Sequence, residues 1–402
     1  MRSYKPLPLS EAYWFQEGPG VRKWQFTDSG IKLLNVGNIE KDGRLNLEKT
    51  DRHLSKEEVA QKYSHFLVDK GDLVIASSGI SFDDDGLLRT RGAFVENHQL
   101  PLCLNTSTIR FKAVEGISEL SFLRFWLDSR EFRSQITKLV TGSAQQNFGP
   151  SHLKAIRIKL PPIAEQKRIA EILDRTQSLI SKRKEAIAKL DTLTQSIFLE
   201  IFGSVSSAMD RFSSVRLSDV TKFIDYRGIS PNKQNTGLRL VTARNVKRGW
   251  FDNEPQEFIP VNEYDSWMTR GIPRVGDVLF TTEGHTLGSA AKLPFFNKVA
   301  LAQRLIALQP NECICSDYLL QVILSSTFQL EILRRSTGSA ARGISSKQLA
   351  QILLPLPPIP LQQKFAQRVE AVEKLKATHR ASLSELEALF ASLQHRAFRG
   401  EL

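Results

Sequence analysis

The chain has 402 residues, 41% of them hydrophobic, and carries 55 Lys/Arg against 43 Asp/Glu, a formal charge of +12 with a pI near 9.6. That length accommodates two or three domains with real cores, and the basic balance favours a polyanion, most simply nucleic acid, as partner. Three cysteines (Cys103, Cys313, Cys315) exclude a disulfide framework and read as core filler in a reducing cytoplasm, and no apolar run long enough for a membrane span exists.

From the N-terminus, Met1 to Pro6 has no apolar core, so no signal peptide is expected. Residues 1–160 read as a mixed, strand-rich globular part. Ile31 to Val36 alternates as a strand, and Asp42-Gly43 is a hairpin-type turn. Gly71-Asp72 turns into an apolar strand ending at Ala76, and Thr108 to Lys112 is a further strand candidate. Residues 119–139 carry apolar side chains at helical spacing, and Ala155 to Leu160 closes the part as a strand.

Residues 161–203 are the clearest helix. Pro161-Pro162 opens it, where a missing N–H costs nothing, and Gly203 closes it, where a left-handed cap is cheapest. About forty residues at 1.5 Å each make a rod of roughly 60 Å. A heptad-like stripe runs along it through Ile169, Leu173, Ile180, Ile187, Leu190 and Ile197, with a break at Arg183. Residues 204–213 read as a small-residue linker, 214–356 as a second globular part, and 357–402 as a second long helix. The second stripe runs through Phe365, Val369, Val372, Leu383, Leu386 and Leu393, with polar breaks at Lys376 and His379.

The two stripes are related by a constant offset of 196 residues, and the offset holds beyond the helices. Thr141-Gly142-Ser143-Ala144 recurs as Thr337-Gly338-Ser339-Ala340, Leu160-Pro161-Pro162-Ile163 as Leu356-Pro357-Pro358-Ile359, and Gln166 as Gln362. Gly276-Asp277-Val278 echoes Gly71-Asp72-Leu73, and Asn245-Val246 echoes Asn38-Ile39. The chain is therefore an internal duplication, one supersecondary design used twice. The loops diverge while the scaffolds match: Ser81 to Asn97 has little in common with Glu283 to Lys298. The fold expected is α+β: two strand-rich domains and two long antiparallel, coiled-coil-like helices in a pseudo-twofold repeat. The helices are nearly neutral, seven Lys/Arg against six Asp/Glu over 164–202 and seven against five over 363–402, so the excess charge belongs mainly to the globular parts.

Signatures of catalysis are missing. There is no phosphate-binding Gly-x-x-x-x-Gly-Lys loop; Gly284 to Ser289 lacks the lysine spacing. There is no His-Glu-x-x-His, and Asp83-Asp84-Asp85 lacks the spacing of a calcium loop. The Leu-Pro-Pro-Ile turns differ from the Asn/Asp-Pro-Pro-Tyr/Phe of amino-methyltransferases: Leu160 and Leu356 cannot accept the target amine, and Ile163 and Ile359 cannot stack on its base.

Two variable globular parts, each followed by a Thr-Gly-Ser loop, a Leu-Pro-Pro-Ile-x-x-Gln turn and a long helix, resemble the specificity subunit of type I restriction–modification enzymes. Gly18-Pro19-Gly20 through Asn38-Ile39, the Ile201-Phe202-Gly203 break and the Ala397 to Leu402 ending share in the resemblance. It implies target-recognition domains at 1–160 and 214–356, each reading one half of a bipartite, asymmetric duplex DNA site. It implies spacer helices at 161–203 and 357–402 that pair antiparallel as a ruler. The expected partners are double-stranded DNA, two modification subunits and restriction subunits, with no membrane. S-adenosylmethionine, ATP and Mg belong to those partners, and this chain carries no cofactor, metal or catalytic residue. A stand-alone endonuclease and a DNA-binding regulator are the alternatives. The first would need an acidic metal cluster, and the second lacks an evident helix-turn-helix.

Reading bases requires Arg, Lys, Asn or Gln on exposed loops, and phosphates require Lys, Arg and small polar groups. In the first globular part these criteria select Arg22, Lys23, Ser78, Arg89, Arg91, Gln145, Gln146 and Asn147. In the second they select Arg227, Lys233, Arg244, Lys247, Arg248, His285, Lys292 and Arg342.

Overall fold

The computed structural model describes residues 4–40, 42–79, 81–82, 85–140, 147–226, 231–294, 298–338 and 342–402. The chain forms two compact units, Met1–Lys184 with Ser382–Leu402, and Glu185–Ala381. The Thr141 to Ala144 loop, Ser339-Ala340, Gln145, Gln146 and Arg227 lie outside the described residues.

The first unit is built on a four-stranded antiparallel sheet in the order Tyr13–Glu17, Thr108–Ala113, Leu73–Ala76, Gly92–Phe94. Leu73–Ala76 is buried on both faces, which is why it reads as an unbroken apolar run rather than an alternation. A second sheet centres on Ile31–Leu34, paired antiparallel with His53–Leu54 and parallel with Leu102–Leu104. A third pairing joins Pro6–Pro8 to Arg157–Lys159, the strand that feeds the long helix.

The second unit repeats this plan. Its four-stranded sheet runs Thr221–Asp225, Leu305–Pro310, Val278–Thr281, Ala290–Lys292. Leu238–Val241 pairs antiparallel with Glu257–Ile259 and parallel with Val299–Leu301, and Ser213–Arg216 pairs with Leu353–Leu356.

Both Gly-Asp turns are built alike. Gly71 and Gly276 take positive φ, 84° and 89°. Asp72 accepts from the Asp69 amide at 2.9 Å and Asp277 from the Arg274 amide at 2.8 Å. Burial pushes both carboxyls above the usual range. Asn38 and Asn245, both fully buried, hold equivalent turns: the first accepts from Asn35 N, the second from Thr242 N.

The stretch 119–139 is broken into two helices, Leu120–Leu127 and Arg130–Leu139. Ser129 makes the break: its Oγ accepts from Phe132 N and donates to Trp126 O, so one hydroxyl ends one helix and caps the next. Ser325 does the same between Ser316–Leu324 and Ser326–Arg335. The stretch expected as a small-residue linker contains a helix, Val205–Arg211, capped by Ser204 Oγ, because Val205 packs into the second core and Ala208 is buried. Cys103 is buried, but Cys313 is exposed and is not core filler, since it sits in the turn before a helix.

The long helices span Ile163–Phe202 and Ile359–Phe398, 40 residues each. Gly203, at φ +78°, ends the first, its amide bonded to Leu199 O. Within the second unit their halves run antiparallel: Arg368 grips Glu200 through both guanidinium nitrogens at 2.8 and 3.0 Å, while Lys376 reaches Asp191 at 2.6 Å. Ile197, Phe198 and Phe202 pack with Phe365, Val369 and Val372 in one core, and Leu190 borders it. Within the first unit Ile169 and Leu173 share a core with Ala397 and Phe398, bordered by Leu393, and Lys184 pairs with Glu387 at 2.8 Å. Ile180 is buried, whereas Ile187, Leu383 and Leu386 are half-buried.

The Leu-Pro-Pro-Ile-x-x-Gln turn now has a physical account. Gln166 is fully buried; its amide accepts from Glu119 N at 2.9 Å and donates to Ile117 O and Pro161 O at 2.8 Å. Gln362 does the same with Cys315 N, Cys313 O and Pro357 O. One side chain thus staples the loop before a short helix to the start of a long one in each repeat.

Candidate nucleic-acid interface

The first unit presents its candidate cations in two places. Arg22 and Lys23 sit on a tight turn, Lys23–Gln25, that follows Gly18-Pro19-Gly20. The turn is anchored from below. Arg22 N donates to Gln25 Oε1 at 2.8 Å, and Gln25 Nε2 donates to Glu58 and to the Tyr63 hydroxyl. A Cβ at Gly18 would meet the Asn105 backbone at 2.5 Å, so only glycine lets the loop lie this close. Val21 and Phe26 border a buried cluster on either side of the turn.

Arg89 and Arg91 come together elsewhere, at a cleft of about 510 Å³ that Arg124, Asp128 and Gln177 also line. Ser78 and Asn147 lie on adjoining loops, joined where Gly79 N donates to Asn147 Oδ1 at 3.3 Å. Among the described residues, the side chains of Arg22, Lys23, Arg89 and Arg91 have no ion pair or hydrogen bond.

The second unit treats its cations differently. Lys233 and Arg244 both face Glu257, at 2.5 and 3.8 Å, and Lys247 faces Asp252 at 3.5 Å. Arg244, Lys247 and His285 line one cleft of about 840 Å³, and Arg342 adjoins it through its carbonyl, which accepts from Gly284 N at 2.9 Å. Arg248 and Lys292 turn to a different cleft, against the paired long helices. There Arg248 donates to Leu324 O at 2.8 Å and Lys292 pairs with Asp317 at 2.6 Å.

Two residues escaped selection from the sequence. Trp24 is 81% exposed, beside Arg22 and Lys23. The signal was legible, an indole after two cations on a Gly-Pro-Gly loop, but base reading was assigned to polar side chains alone. Arg304 lines the second unit's 840 Å³ cleft and holds Glu283 at 2.8 Å. Among the described residues it is the one non-glycine with positive φ, +74°, and nothing in the sequence marks an arginine for that conformation. Its carbonyl accepts from both the amide and the hydroxyl of Thr282, which locks the turn.

Among the described residues no cluster of His, Cys, Asp or Glu could hold a metal, and no helix is long and apolar enough to cross a membrane. The arrangement is one of exposed cations, amides and an indole on loops carried by rigid sheets, suited to binding and reading a polyanion.

The comparisons agree with that chemistry. The model of the type I restriction modification DNA specificity domain matches twice, over residues 29–190 and 212–388. The EcoKI specificity subunit of Escherichia coli K12 is 24% identical, with 93% of this chain and 83% of that protein covered. The MjaVIII specificity subunit of Methanocaldococcus jannaschii is 20% identical, covering 74% of each. In fold, the chain is similar to the type I system S subunit of M. genitalium, with a TM-score of 0.58 and 16% identity over 98% of this chain and 96% of that one. A chain from a structure of type I system assembly gives a TM-score of 0.51 at 18% identity over 99% of this chain and 98% of that one. This chain belongs to the specificity subunits of type I restriction–modification systems. Its role in such a system is recognition of DNA sequence.

Proposed function

We propose that each globular repeat reads one half of a bipartite, asymmetric duplex target, while the paired long helices fix the gap and carry two modification subunits. Restriction subunits join that assembly. The chain supplies the address and no chemistry; S-adenosylmethionine, ATP and Mg act on the partners, in the cytoplasm. The observation that carries this reading is the repetition of one scaffold with two unlike cation sets. Among the described residues the first repeat's Arg22, Lys23, Arg89 and Arg91 form no ion pair, Arg89 meeting only the nearby Asp128 carboxylate of its cleft, whereas the second binds Lys233, Arg244, Lys247 and Arg304 to Glu257, Asp252 and Glu283. Identical scaffolds with unlike loops support unlike half-sites. A rod of roughly 60 Å supports a gap of one or two helical turns of DNA.

The paired cations also bear on specificity. A guanidinium already held by a carboxylate gains little from a phosphate, which would repel the acid. It gains more where a base edge offers a donor to the carboxylate and an acceptor to the arginine, as adjacent cytosine and guanine do.

The test is selection of the full-length chain on a pool of randomised duplexes. The expected product is two unlike sequence blocks separated by a fixed run of free positions. A single contiguous block, or a palindrome, would overturn the proposal.

A further inference from the structure

We propose that Trp24 is a sequence-discriminating contact, its indole laid against bases of the half-site read by the first repeat; this rests on the DNA-recognition role and extends it to a residue type outside direct hydrogen-bond readout. Three observations converge. First, Trp24 is 81% exposed, the most exposed of the large apolar side chains among the described residues. An indole is ordinarily kept from water because its apolar area is large. Second, it is presented on a rigid base. Gln25 ties the turn to Glu58 and Tyr63, Val21 and Phe26 anchor both flanks, and Gly18 lies against Asn105. A side chain held this way loses little freedom on binding. Third, its neighbours are Arg22 and Lys23, both exposed and without carboxylate partners among the described residues, followed by polar Thr27, Asp28 and Ser29.

That setting selects the occupant. A protein partner would call for a contiguous apolar patch with depleted charge at its centre. A lone indole directly after two cations matches a polyanion that also offers π-faces and sugar edges. The cations take the phosphates and the indole takes what lies between them, by stacking or by wedging into a base step. The two repeats differ here: in the corresponding stretch of the second, between Asp225 and Gly237, the one aromatic residue is Tyr226, and it is buried. The contact is therefore private to one half-site.

The test uses the full-length chain and duplexes recovered by the selection described above, with scrambled duplexes of the same composition as controls. W24A should weaken binding of the selected duplex about 10-fold or more, leave the scrambled duplex within about twofold, and leave the salt dependence unchanged, because no charge is removed. W24F should restore most of the loss, since the ring and not the indole N–H carries the contact. With 2-aminopurine placed at successive positions, wild type should brighten the probe at one place in one half-site, and W24A should abolish that signal. W24A binding both duplexes like wild type would overturn the proposal. So would an equal loss on both duplexes, which marks a non-specific contact, or intact DNA binding with loss of a co-purifying modification subunit, which marks a protein contact. Should wild type enrich no sequence at all, the recognition role itself fails, a result distinct from each of these.

Discussion

At the scale of the residue, the candidate cations divide into those with no ion pair among the described residues, such as Arg22, Lys23 and Arg342, and those already held by an acid. A free Arg or Lys binds phosphate by releasing counterions. One that faces Glu257 or Glu283 must first leave its acid or bring it along. Arg304 adds a conformational cost, since a side-chain-bearing residue at φ +74° is strained. Two substitutions separate these effects. R304G relieves the backbone and R304A does not, so the glycine variant should be the more stable by about 1 kcal/mol in denaturant unfolding. Both remove the guanidinium and should lose about 10-fold in discrimination at the half-site of the second repeat. An alanine variant as stable as the glycine one would show that the turn carries no strain.

At the scale of the element, the joint between each globular part and its long helix depends on one buried amide. Replacing Gln166 by Leu strands the Glu119 amide and the Ile117 and Pro161 carbonyls, which the side chain now satisfies. Each buried polar group left without a partner costs about 1–3 kcal/mol. Q166L should therefore lower the unfolding midpoint steeply and expose the first unit to protease, while Q362L does so in the second. Limited proteolysis with mapped cleavage sites reads both outcomes. Equal susceptibility of both units in either variant would contradict the assignment. The paired helices show a related asymmetry. Lys376 is buried between Asp191 and Glu373 where the first repeat has Ile180, so the stripe's polar break is a charge satisfied from two helices rather than a gap in packing.

At the scale of the whole molecule, a charge of +12 predicts salt-sensitive DNA binding, but the structure says which cations should carry it. Removing Arg22 and Lys23 together should lower the slope of log affinity against log salt by about two, one for each free cation. Removing Lys233 and Arg244 should lower it by clearly less, because Glu257 already neutralises part of their charge. Titration of both double variants across salt concentrations checks this. Equal reductions would mean that the carboxylate yields its partners freely to DNA.

The sequence by itself determined the repeat, the long helices and the class of the protein. Those rest on periodicity, on the Pro and Gly that bound a helix, and on a constant offset between motifs, all of which are properties of neighbours along the chain. Leu73–Ala76, Val278–Thr281 and both 40-residue helices were legible for that reason. The tertiary structure alone decided which cations are free. Arg244 and Glu257, or Arg304 and Glu283, are brought face to face by strands and turns that the sequence separates. The motif glutamines were visible as letters, but their purpose lies in carbonyls and amides some fifty positions upstream. Local chemistry writes the elements; pairing between distant segments decides what each charged or buried side chain meets, and no spacing rule along the chain encodes that.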